Sequence, residues 1–231
     1  MVKFLKKHRF FIVVIAIFAV LSTALSGVVA YASRNYNGIT IVLDAGHGGR
    51  DGGSVGINGT IEKEINLDYV LALKDKLVQS GYRVVLTRKN DDGLYSPLAK
   101  NKKQDDMNKR MKIIKQANPN LVISLHMNSF SDSSVSGAMT YFRKDDEASE
   151  MCADLIQQSI STYCNANSRK SKVGDYFMLN CSYYTAVLIE CGFISNPHEE
   201  RQLKTEEYKN RMVNSIYNGI LLYFGAVNSY A

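Results

Sequence analysis

The chain has 231 residues, 45% hydrophobic and 22% charged, which excludes an intrinsically disordered chain and fits one domain with its own core. Its formal net charge of +6 falls to +2 once Lys3, Lys6, Lys7 and Arg9 are set aside. The basic balance therefore belongs to the first ten residues and is no sign of a nucleic-acid partner.

Those residues open a leader. MVKFLKKHRF is basic and free of acids, Phe10–Leu21 is wholly apolar, and STALSGVVAYA brings small residues at Ala30 and Ala32. This pattern matches a secretory signal with an A-x-A cleavage site. The uncharged stretch Phe10–Ala32 is also long enough to stay uncleaved as a membrane anchor. Either way, residues 1–32 form the N-terminal signal or anchor, and residues 33–231 form an exported single domain.

In chain order, GITIVLDAG (38–46) predicts a buried strand that breaks at glycine. EKEINLDYVLALKDKLVQSG (62–81) predicts an amphipathic helix with Ile65, Val70, Leu73 and Leu77 on one side and Gly81 just past its end. YRVVLTR (82–88) is a second strand, the region of 105–118 a helix, LVISLH (121–126) a third strand and GAMTYF (137–142) a fourth. Residues 146–165 read as helix, DYFML (175–179) and AVLIE (186–190) as strands, and 206–224 as a last helix. Strand and helix alternate, so the fold class is α/β: a twisted, mostly parallel sheet with helices on both faces.

In such sheets ligands bind beyond the carboxyl ends of the strands. His47 lies just past the first strand, His126 ends the third and Glu190 ends the last predicted strand. Two histidines at equivalent topological places suggest a metal site, and a catalytic zinc takes N and O ligands while keeping one position open. Glu62 is the candidate third ligand, in the first turn of a helix that Thr60 could cap after the turn at Gly59. Glu64 is its rival, two residues along and pointing elsewhere. Glu190, a carboxylate closing an apolar strand, suits a general base whose pKa burial would raise.

The glycines of LDAGHGGRDGG (43–53) let backbone crowd that site. The chain has no phosphate-loop spacing and no G-x-S-x-G elbow, which excludes those two alternatives. His198, in NPHEE, reads as solvated. The four cysteines show no C-x-x-C pair; Cys181 and Cys191 could bridge, with buried free thiols as the plainer reading.

Five segments in order, LDAGHGG, GTIEKEINL, LTR, SLHMNS and LIECGFISN, resemble the zinc-dependent N-acetylmuramoyl-L-alanine amidases over nearly all of residues 38–226. The resemblance implies one zinc per chain on His47, Glu62 and His126, with Glu190 catalytic. It implies cleavage of the amide between the lactyl group of muramic acid and L-alanine in peptidoglycan. It also suggests a substrate or supporting role for Asn128, structural roles for Arg110 and Asn118, and a loop-shaping role for Asn196. Asn180 and Thr185 depart from the arginine and proline often found in the family.

The minimal layout, a leader followed by one catalytic domain without a plug helix after His126, is similar to the germination subgroup. Those members help form muramic-δ-lactam in spore cortex, and some depend on a lipoprotein partner. Two other functions fit the same residues. One is an exported zinc peptidase cutting peptide cross-links. The other is a non-catalytic wall-binding protein of the same fold.

Overall fold

The computed structural model describes residues 36–164, 169–180 and 184–229, together with Ile17. The chain divides into two units, Met1–Gly38 and Ile39–Ala231, and the fold is that of the second. The expected leader at 1–32 lies, Ile17 apart, outside the described residues, as does Cys181. Among the described residues no helix is long and apolar enough to cross a membrane.

Six strands make one sheet: β1 (Thr40–Ala45), β2 (Arg83–Leu86), β3 (Leu121–Asn128), β4 (Met139–Phe142), β5 (Lys172–Val173) and β6 (Thr185–Phe193). Their order is β2-β1-β3-β6-β4-β5. All neighbours run parallel except β4 and β6. Five described helices flank the sheet: α1 (Glu62–Gln79), α2 (Lys102–Ala117), α3 (Glu147–Tyr163), α4 (Pro197–Leu203) and α5 (Glu206–Ser229).

All six residues of β1 are buried, as expected of a parallel strand covered on both faces. Side chains still alternate. Ile41, Leu43, Leu121, Ile123 and Leu125 pack with α1, α3 and α5 on one face. Val42, Val122, Ala186 and Leu188 pack with Ile114 of α2 and with Met178 and Leu179 on the other. Gly219 of α5 sits so close to α3 that a Cβ there would lie 2.5 Å from the Cα of Ile156, so no larger residue fits that crossing without movement.

Three local expectations change. DYFML is no strand: Leu179 and Asn180 both donate backbone N–H to the carbonyl of Tyr176, closing a helical turn. Met178 and Leu179 are buried there by packing under the sheet rather than by pairing within it, and apolar content alone does not separate the two cases. Thr60 does not cap α1, whose first flanking residue is Ile61 without a side-chain cap. β3 and β6 run past His126 and Glu190 to Asn128 and Phe193, with an irregular register just after His126.

Candidate metal centre

The sheet register builds the site. Ala45 pairs with Leu125, and His126 pairs directly with Glu190, so the ends of β1, β3 and β6 lie side by side. His126 and Glu190 continue the rows Val122–Ser124 and Ala186–Leu188 on the α2 face. Glu62 reaches the same place from the first turn of α1.

Glu62 Oε1 lies 2.9 Å from His126 Nδ1 and 3.2 Å from His47 Nε2. Ligand atoms of the three residues all fall within 4.8 Å of one another, and among the described residues this is the one His/Cys/Asp/Glu group so placed. Two imidazole nitrogens and a carboxylate oxygen are the donor types of a catalytic zinc set. Burial opposes ionisation of Glu62, yet hydrogen bonds from His126 and His47 hold its carboxyl far below the usual range. Burial likewise opposes a charge on His47, but contacts with Glu62 and Asp51 raise its pKa. The charged carboxylate thus bridges the two rings.

Glu64 is exposed on the other side of α1, which removes it as a ligand. His198 is exposed, as expected. Cys152, Cys164 and Cys191 are buried free thiols.

Two glycines explain the crowded first loop. A Cβ on Gly46 would lie 2.2 Å from Cε1 of the His126 ring. A Cβ on Gly53, at φ +69°, would lie 2.5 Å from Glu62 Oε2 and 2.7 Å from His47 Cδ2. His47 itself holds φ +62°, a conformation that costs a non-glycine residue about 1 kcal/mol and persists only where surroundings fix it.

Those surroundings include residues that sequence reasoning passed over. Asp51 Oδ1 lies 3.0 Å from His47 Nδ1 and so turns Nε2 toward the site. Asn66, one turn after Glu62 and fully buried, donates to Glu62 Oε1 and to the Gly46 carbonyl at 3.2 Å each. Ser54 N–H donates to Glu62 Oε2 at 2.8 Å. Arg88, in LTR, donates to the carbonyls of Ala45, Gly46 and Lys63. Its signal in the sequence was a cation closing an apolar strand. Glu200 of α4 accepts the backbone N–H groups of Asn58 and Thr60, holding the loop that leads into Glu62.

Arg110 is 1% exposed and donates to Asp44, Asp106 and the Ala45 carbonyl at 2.6, 2.6 and 2.7 Å, and also to the carbonyl of His47. Asn118 ends α2 in the left-handed region, and Asn196 caps α4 by accepting from His198 and Glu199 N–H. Asn128 accepts from Ser129 N–H at 2.8 Å and neighbours the Tyr141 hydroxyl. Asn180 donates to Asp175 at 3.1 Å, and Thr185 shares a hydrogen bond with Tyr223 at the start of β6.

Glu190 is 8% exposed, and its Oε2 has no hydrogen-bond partner among the described residues. Burial pushes its pKa up to about 7, with Glu62 adding to the rise and the two histidines opposing it. It lines a cleft of about 200 Å³ together with His47, His126, Asp51, Lys103 and an apolar wall of Met107 and Tyr176–Met178. An unpartnered carboxyl with a near-neutral pKa, beside a two-histidine, one-carboxylate set, is equipped for metal-assisted hydrolysis.

Comparison with known proteins points to amide hydrolysis. The sequence profile described as N-acetylmuramoyl-L-alanine amidase matches residues 41–221. The germination-specific N-acetylmuramoyl-L-alanine amidase of Bacillus subtilis is 36% identical over 193 residues, covering 81% of this chain and 81% of that protein. The CwlD amidase of Clostridioides difficile, solved in complex with the GerS lipoprotein, is similar in structure with a TM-score of 0.79 at 36% identity, covering 81% of this chain and 99% of that one. An N-acetylmuramoyl-L-alanine amidase from Clostridium difficile 630 gives a TM-score of 0.74 at 27% identity, covering 83% and 98%.

Proposed function

The chain belongs to the N-acetylmuramoyl-L-alanine amidase family and is a peptidoglycan amidase, and from that premise we propose that it is a zinc enzyme of the spore cortex. His47, Glu62 and His126 hold the ion, one per chain, and Glu190 is the catalytic acid–base. The observation that carries this is the convergence of three ligand-type atoms beside a buried, unpartnered carboxyl.

Zinc, when bound there, would polarise the lactyl carbonyl and lower the pKa of a water. Glu190 takes a proton from the water that attacks the carbonyl carbon. It returns that proton to the departing α-amine of L-alanine as the C–N bond breaks. Asp51 and Asn66 keep His47 and Glu62 in place throughout. Asn128 sits at the end of β3 and is proposed to support the substrate side of the site.

The cortex assignment is supported by the germination-specific relative, and a lipoprotein partner by the GerS complex of the similar structure. Residues 1–32 are proposed to export the domain to the outer face of the membrane, where peptidoglycan lies. Family membership favours the amidase over a cross-link peptidase or a non-catalytic wall binder. The test is metal analysis and digestion with the full chain beside H126A. About one zinc per chain, lost in H126A, with faster release from cortex-type than from vegetative peptidoglycan, is expected. Full turnover in H126A, or no preference for cortex, would contradict the corresponding part.

A further inference from the structure

The proposed reaction leaves one cleft residue without a task. α2 presents Lys103, Met107 and Arg110 to the cleft, one turn apart along a single face. Two of these are cations, and they differ in engagement. Arg110 is buried and commits its guanidinium to Asp44, Asp106 and two carbonyls. Lys103 is exposed at the mouth and forms no ion pair among the described residues. Its neighbours do: Lys63 pairs with Asp91 at 2.8 Å and Lys109 with Asp105 at 2.9 Å.

Asp51 lines this cleft on the metal-ligand side, while the wall of Met107 and Tyr176–Met178 is uncharged. Lys103 and Asp51 line the same cleft. A cation left without an ion pair at the mouth of a cleft is free to pair with an anionic group of an entering substrate. The peptide side of the amide in question is anionic: a stem peptide carries a free α-carboxylate on the glutamate that follows L-alanine.

We propose that Lys103 binds that carboxylate and so sets which side of the cleft receives the peptide and which the sugar; this rests on the amidase reading above. The uncharged wall of Met107 and Tyr176–Met178 is then left for the glycan side.

The test compares two small substrates with the glutamate γ-carboxyl blocked as its methylamide: N-acetylmuramoyl-L-alanyl-D-glutamate γ-methylamide and the same compound with the α-carboxyl amidated. Zinc-loaded full-length wild type, K103M and K103R are assayed on both, with zinc content measured in each. Wild type is expected to favour the acid by about fivefold in kcat/KM, the size of one partly exposed charge pair. K103M should cleave both equally with unchanged zinc, and K103R should restore the preference. If K103M keeps the wild-type ratio, Lys103 does not read the carboxylate. If wild type cleaves neither compound at the lactyl–alanine amide, the amidase reading itself fails, and this inference with it.

Discussion

Asp51 shows how a single residue can act on a metal site through another side chain. It grips Nδ1 of His47, leaving Nε2 as the donor that faces Glu62. Loss of such an outer partner typically weakens metal binding by about 10- to 100-fold. D51A is therefore expected to lower zinc affinity by roughly that factor in a chelator competition while the fold survives; unchanged affinity would mean that the ring is held by other contacts. Glu190 makes a different prediction. Burial favours its neutral form, so the carboxyl is protonated in folded and unfolded chains alike below its ordinary pKa of 4.5 and ionised in both above about 7. The cost of the buried charge appears between those limits and reaches about 3 kcal/mol above them. E190Q should leave the stability of the metal-free chain unchanged near pH 4 and raise it at pH 8, measured by denaturant unfolding. It should also abolish turnover while zinc still binds. At this scale the sequence was informative about placement: two histidines and two glutamates at strand and helix ends, which the fold brings together. It was silent on Asp51 and Asn66, because a carboxylate or amide two to five residues from a ligand has no signature until the loop geometry is known.

At the scale of elements, β1 and α2 are tied by charge as well as by packing. Asp44 accepts from Arg110, Ser124 and Thr87, and although burial opposes ionisation, these contacts hold its pKa down at about 2. Its contribution to stability is present above pH 3.8 and is lost as the pH falls toward 2, so acid unfolding of the wild type should include this step. R110M would leave Asp44 charged and buried without its partner, a change that costs about 3–5 kcal/mol. A large fall in the denaturation midpoint is expected, with zinc binding lost as the His47 carbonyl loses its donor. Near-wild-type stability would show that Thr87 and Ser124 suffice. Gly46 gives a sharper structural test, since the Cβ of G46A must displace the His126 ring. That variant should fold more nearly intact yet bind zinc poorly. The long elements were legible from the spacing of their apolar residues and from the turn signals between them. The turn at 176–180 was not, because Met178 and Leu179 are buried without pairing, and burial is the only thing that an apolar run reports.

For the whole molecule, the order β2-β1-β3-β6 is what makes the site. His47 and Glu190 stand 143 positions apart in the chain, yet β3 alone separates β1 from β6, and His126 lies directly beside Glu190. The rule that ligands gather beyond the carboxyl ends of parallel strands made this convergence readable before any coordinates. The antiparallel entry of β4 and the two-residue β5 were not readable, since nothing in short apolar segments fixes their direction. A ligand that binds only the folded chain stabilises it, so added zinc should raise the melting temperature of the wild type and not that of H126A. The central claim is bond-specific, and the measurement that tests it most directly is mass spectrometry of fragments released from peptidoglycan by the zinc-loaded chain, with E190Q as control. The expected products are whole stem peptides with a free L-alanine amine and glycan strands whose muramic acid keeps a free lactyl carboxyl, absent with E190Q. Fragments with new ends inside the stem peptide, or the same products from E190Q, would contradict it.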